Sequence, residues 1–402
     1  MGNNTAVTNE YAGEGGRKRM HPAVQVVYFL LIIVFLILPV PLNKALGREA
    51  DREEAQNNEM RTMAEKPPLN WYTIPGFPIA YEAWFSDALP FKDELVKTGS
   101  LLDYYVFHSS MGDKVLIGKE GWLFYKDSQV NSEDPVADYE ATNLYGEAEL
   151  MEIAEKMVTA RDELASRGIS FAVMIAPSKE RANAEYIPDR YGEPGAYSRM
   201  AQIGDYLREH TDLTVVTPYS ALAEYKAAHP DAQLYYKYDT HWNNLGAYIG
   251  AKALNEALGI EGMLEPEELQ ISYGDPPVYD LARLLDLGEE LQDDRPVILD
   301  NAVRANMDYW TNGKGTEYRY KNLDGTGDPR KIFIVGDSFS TMMSRYVAPY
   351  FRELYLNFYY NYNLEMLEEE APDLVVYEVV ERYVDNMRHF SITEGVDAEA
   401  EQ

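Results

Sequence analysis

The spacing of apolar and polar residues changes several times along this chain. The first signal is the run Ala23 to Val40, "AVQVVYFLLIIVFLILPV", eighteen residues with one polar member, Gln25, and no charge. That length and composition predict a single membrane-spanning helix, with residues 23–42 as the anchor. A cleaved signal peptide is the competing expectation, because "KALGREA" follows as an imperfect cleavage site. Arg17, Lys18 and Arg19 precede the run and the segment after Leu42 turns acidic. Residues 1–22 are therefore expected in the cytoplasm and the remainder outside, which would make this a single-pass protein of the cell membrane.

Residues 43–79 are polar, charged and broken by Pro67-Pro68, as in a stalk. Beyond them, "YEAWFSDALPFKDELVKTGSLLDYYVFHSS" has helical apolar spacing, and "VLIGKEGWLFYKD" (Val115 to Asp127) reads as a β-hairpin around Gly-Lys-Glu-Gly. The period then alternates. The helix "EAELMEIAEKMVTARDELASRG" leads to the apolar run "ISFAVMIAP", and "YSRMAQIGDYLREH" leads to "LTVVTPY". Near the C-terminus "KIFIVGDSFS", "ELYLNFYY" and "DLVVYEVV" are strands separated by helices. Short apolar strands separated by helices predict an α/β three-layer sandwich with a mainly parallel sheet, spanning residues 80–390. Residues 262–330, rich in Asp, Gly, Pro and Tyr, break the rhythm and read as an insertion with irregular or small β structure. Residues 391–402 are expected to be a disordered acidic tail.

Composition narrows the function. The chain has 402 residues with 67 acidic against 36 basic ones, a formal net charge of -31, so nucleic acid is not an expected partner. Without cysteine there are no disulfides, thiolate metal sites or cysteine nucleophile. No HExxH or paired-histidine pattern occurs, and neither a metal nor another cofactor is expected.

Two stretches carry candidate chemistry. In "IFIVGDSFS", Ile332 to Ser340, an apolar strand runs into Gly-Asp-Ser and then a helix. Ser338 therefore falls on a strand-to-helix turn at the carboxyl edge of a parallel sheet, beside the unpaired N–H groups of a helix N-terminus. A serine needs a base, and the base needs a partner that orients it. In "YDTHWNN", Tyr238 to Asn244, Asp239 and His241 stand two apart, so an extended backbone puts both side chains on one side. The bland alternative is a surface turn in which Asp239 or Thr240 caps the helix from Asn244 and Asp337 or Ser338 caps the later one. The other five histidines lack a close acidic neighbour at a strand edge.

Four blocks in order resemble the SGNH-hydrolase-like domains of the AlgX/AlgJ family and the related anchored DHHW proteins: "FSDALPFKDELV", "VLIGKEGWLFY", "YDTHWNNLGA" and "VGDSFS". In the first, Lys92 replaces the usual Arg. The resemblance implies Ser338 as nucleophile, His241 as general base and Asp239 as its orienting carboxylate, in a chain order permuted relative to ordinary SGNH esterases. It also implies O-acetyl transfer to an extracellular or wall polysaccharide, with a multi-span membrane acyltransferase as the acetyl donor. "MIAPSKERANAEYIP" matches a further family block through Pro177 and Lys179, which could shape a loop or touch substrate. The same residues would serve an O-acetyl esterase, and an anchored glycan-binding protein without catalysis is the third expectation.

Overall fold

The computed structural model describes residues 64–396 apart from 88–91, 111, 113, 128–132 and 304, together with Val26, Val27, Phe29, Leu30 and Val34. The anchor expected at 23–42 thus lies almost wholly outside the described residues, among which no helix is long and apolar enough to cross a membrane. The chain divides into two units at Val96–Lys97. In the first, Asn70 closes a turn by accepting the Tyr72 and Thr73 amides, and α1 (Phe77–Asp87) stacks Tyr81 on Phe77 and Phe85.

The second unit is built on a seven-stranded sheet. Its strands are β3 (Ser170–Ala176), β4 (Thr214–Val216), β7 (Met307–Thr311), β8 (Glu317–Asn322), β9 (Asp328–Gly336), β10 (Phe351–Phe358) and β11 (Leu374–Val380), in the order β4-β3-β11-β9-β10-β8-β7. The first five run parallel, and β8 pairs antiparallel with both β10 and β7. The sheet is therefore mixed: part of the segment read as an insertion supplies its edge hairpin. The central strands are apolar on both faces because both are covered. In β9, Ile332 and Ile334 face one core while Phe333 and Val335 face the other.

Helices α2 (Glu147–Ser166) and α3 (Arg199–His210) cover one face, and α4 (Asn244–Ala257) and α6 (Ser338–Val347) the other. The short α5 (Asp280–Leu284) shares a third apolar cluster with the expected hairpin, β1 (Val115–Ile117) and β2 (Leu123–Tyr125). Two more antiparallel pairs complete the unit. β5 (Ile271–Tyr273) pairs with β6 (Val297–Leu299), and β12 (Phe390–Ser391) with β13 (Gly395–Val396). The tail expected to be disordered from 391 thus stays ordered through Val396, whose side chain is buried among apolar neighbours that hold it. Residues 397–402 lie outside the described residues.

The stretch 238–244 is anchored by Trp242. Its ring is fully buried, its Nε1 donates to the Phe339 carbonyl at 3.2 Å, and it lies against α4 where Gly246 and Gly250 leave room. A Cβ on Gly246 would overlap the Leu234 carbonyl oxygen, and one on Gly250 would come 2.9 Å from the indole. Gly246→Ala is expected to lower the unfolding free energy by about 2–3 kcal/mol, because backbone rather than a flexible side chain must yield; denaturant unfolding measures it.

Candidate active site

Ser338 stands where β9 gives way to α6. The turn is fixed by Asp337, an extended residue whose carboxylate accepts from Phe339 N at 2.8 Å and from Val380 N at 2.7 Å. One side chain thus caps the helix and ties it to the end of β11. Glu378 of β11 supports the same turn from below, accepting from the Asp337 amide at 3.2 Å and from the Ser340 hydroxyl. Burial, followed by the negative charge of Asp337, holds the Glu378 carboxyl well above its ordinary range. With Asp337 in the cap, Ser338 heads α6, and its side chain is free to face the partner strand-edge loop.

That loop brings His241. His241 Nε2 lies 2.7 Å from Ser338 Oγ, and Nδ1 lies 2.6 Å from Asp239 Oδ1. Asp239 Oδ1 also accepts from the His241 amide at 3.1 Å. A carboxylate against Nδ1 sets the tautomer with Nδ1 protonated, leaving Nε2 to accept the serine proton. The helix from Asn244 is capped by Asn243, which accepts from Leu245 N and Gly246 N at 3.0 and 3.1 Å. Capping by Asp239 or Thr240, the alternative open from sequence, is not what occurs, and Asp239 is available to the imidazole.

Asp280, at the start of α5, was not legible in the sequence. Its carboxylate accepts from Thr240 N at 2.9 Å and Thr240 Oγ1 at 2.5 Å, while its own amide donates to Asp239 Oδ2 at 3.0 Å. Asp239 thus holds the Asp280 amide while Asp280 holds Thr240, the residue between Asp239 and His241, and Asp280 Oδ2 comes within 3.7 Å of His241 Nδ1. Burial opposes charge on His241, but the hydrogen bond and charge of Asp239, then the charge of Asp280, outweigh it and raise the imidazole above its ordinary value. Burial also opposes ionisation of Asp239, yet the hydrogen bond and charge of His241 keep it well below the usual carboxylate range.

Lys179 resolves the remaining sequence candidate. Its side chain is buried, and Nζ donates to the carbonyls of Leu123, Lys237 and Asp239 at 2.5, 2.9 and 2.9 Å. It therefore shapes the loop that carries Asp239. Pro177 likewise acts through its backbone, accepting the Tyr235 hydroxyl at 2.7 Å. His210 and His229 each bond a carbonyl of their own helix, at 3.0 and 3.1 Å, and take no part in the site.

The three residues open into a cleft of about 540 Å³ walled by Tyr236, Tyr279, Phe358 and Tyr360, with Gly315 and Thr316 from the β7–β8 turn. Among the described residues, Asp239, His241 and Asp280 are the group with potential metal-ligand atoms within 4.8 Å of one another. A cation bound at Nδ1 would have to displace the proton that links His241 to Asp239. The arrangement suits proton transfer between Ser338 Oγ and His241 Nε2, with an oxyanion forming beside the Ser338 N–H at the head of α6.

A family model described as "SGNH hydrolase-like domain, acetyltransferase AlgX" matches residues 115–355. Among similar proteins, the probable alginate O-acetylase AlgJ of Pseudomonas syringae pathovar tomato is 28% identical over 191 residues, 48% of this chain and 45% of the relative. AlgJ of Pseudomonas putida is 25% identical over 222 residues, 52% of this chain and 51% of the relative. The chain thus spans about half the length of these relatives. Among solved structures, Bacillus cereus PatB1 superposes with a TM-score of 0.50 at 13% identity, covering 70% of this chain and all (100%) of PatB1, which is a likeness of fold.

The charge 3.7 Å from Nδ1 generates a test. Because Asp280 favours the imidazolium, Asp280→Asn is expected to lower the His241 titration midpoint from its raised position toward the ordinary value of about 6.5. Imidazole NMR across a pH series reads the midpoint directly, and an unchanged or higher midpoint would contradict the electrostatic account.

Proposed function

Because this chain belongs to the family of SGNH hydrolase-like, AlgX-type acetyltransferase domains, we propose that it is a serine O-acetyltransferase acting through an acetyl-serine intermediate. The observation that carries the reading is the unbroken line of hydrogen bonds from Ser338 Oγ through the imidazole of His241 to Asp239, 2.7 and 2.6 Å long.

In the first half-reaction His241 Nε2 takes the Ser338 proton as Oγ attacks the acetyl carbonyl. The resulting oxyanion faces the Ser338 N–H, and the imidazolium returns its proton to the departing oxygen of the donor. In the second half His241 deprotonates an acceptor hydroxyl, which attacks the acetyl-serine; the acetyl passes to the acceptor and Ser338 regains its proton. Asp239 keeps the imidazole in the productive tautomer and stabilises its charged form, without itself taking the proton.

The similar AlgJ proteins are named as probable alginate O-acetylases, which supports a polysaccharide hydroxyl as acceptor. The net charge of -31 argues against a polyanion such as alginate, so a cell-surface or wall polysaccharide of lower charge fits better. The apolar run at 23–42 supports a single-pass anchor with this domain outside the cell, where a multi-span membrane acyltransferase would supply the acetyl group. With water in place of the acceptor the same residues would make an O-acetyl esterase.

Ser338→Ala and His241→Ala are each expected to reduce acetyl release from 4-nitrophenyl acetate by about a thousandfold or more. Wild type should show a burst and a mass gain of one acetyl group on the peptide containing Ser338. Turnover undiminished by Ser338→Ala would sink the mechanism and favour an anchored glycan-binding role. Release of acetate alone, unaffected by added glycan, would favour the esterase.

A further inference from the structure

The cleft does not end at Ser338. A second cavity of about 540 Å³ lies between the β7–β8 hairpin and α6, and the two share Thr341 and Met342, in the first turn after Ser338. Its floor follows from strand alternation. Tyr309 of β7 and Tyr318 and Tyr320 of β8 face the same side, with Tyr309 directly opposite Tyr320 in the register. The ring centroids of Tyr320 and Tyr318 lie 5.1 and 6.3 Å from that of Tyr309. Tyr309 is 53% exposed, so its ring is not committed to a core.

We propose that this trough holds the acceptor: an uncharged polysaccharide chain lies along Tyr309, Tyr318 and Tyr320 and presents a hydroxyl to Ser338. Three observations converge. The trough adjoins the cleft, with Thr341 and Met342 lining both, so a chain seated in it lies next to the serine. Its lining pairs flat phenol faces, which suit the C–H faces of sugar rings, with the amide group of Asn244, which suits their oxygens. Arg345 is the one charged side chain among the described residues that line it, within a chain of net charge -31. A polyanion would meet only Arg345 in the trough and Lys314 in the adjoining cleft, against the charge of a strongly acidic chain, which a neutral chain does not oppose. The opposite face of the hairpin differs, with Trp310 beside Arg319, Lys321, Asp308 and Glu353.

The inference rests on the acyl-transfer reading for its purpose but can be tested without chemistry. Ser338→Ala protein is titrated calorimetrically with cellohexaose, laminarihexaose and chitohexaose, with the corresponding disaccharides, and with hexameric mannuronate. At least one uncharged hexaose should bind about tenfold more tightly than its disaccharide and than the mannuronate. Tyr309→Ala in the same background, at an edge position where its removal should leave the unfolding midpoint unchanged, should erase the advantage of length. The trough is not the acceptor site if no uncharged hexaose binds, if mannuronate binds tightest, or if Tyr309→Ala preserves the length dependence. A failure of catalysis would appear separately, in the ester assay with the native serine.

Discussion

A single buried ammonium sets the geometry on which the site depends. Lys179 has three N–H donors, and they meet three carbonyls: Leu123 of the β1–β2 hairpin, and Lys237 and Asp239 of the loop before α4. Burying a cation is costly unless it is fully satisfied, and a satisfied one holds its partners closely. The rings of Trp122 and Phe124, each with its centroid 5.1 Å from Nζ, complete the enclosure. Because one of the three carbonyls belongs to Asp239, the backbone beneath the carboxylate that orients His241 is fixed from the protein interior. The site is thus held by contacts that substrate never touches.

The serine half is held in a parallel way. Asp337 spans the first turn of α6 and the end of β11, and Glu378 closes the space beneath. Gly336 is required there, since a Cβ would come 2.9 Å from the Glu378 carboxyl. Two frameworks, each braced by buried polar groups, therefore bring together Ser338 and His241 without help from ligand. Such preorganisation is what makes proton transfer and oxyanion stabilisation effective in a fixed site.

Much of this was legible in the sequence because it rests on local rules. The short apolar runs within β3, β9 and β11 signal buried parallel strands, and Gly-Asp-Ser after such a run signals the turn. The pairing of Asp239 with His241 follows from two-residue alternation. What escaped reading depends on distant partners. Lys179 stood out in the sequence with two roles open, and only the carbonyls from two other segments that surround it decide for shaping the loop. Asp280 lies in a stretch of Asp, Pro and Tyr without period, and its role comes from the amide it gives to Asp239 and the Thr240 amide its carboxylate accepts. The β7–β8 hairpin alternates tyrosines with charges because its outer face is wet, so it does not look like part of a main sheet.

The pairing of His241 with Ser338 spans 97 positions of sequence. Between them in sequence lie α4, the β5–β6 pair, α5, the antiparallel edge and β9, which pairs with β11. Loop closure over such a distance is entropically slow, and contacts of this kind tend to form late in folding. A chain in which β9 has not yet joined the sheet holds Ser338 away from His241, so the hydrogen bond between them exists only where the sheet is complete.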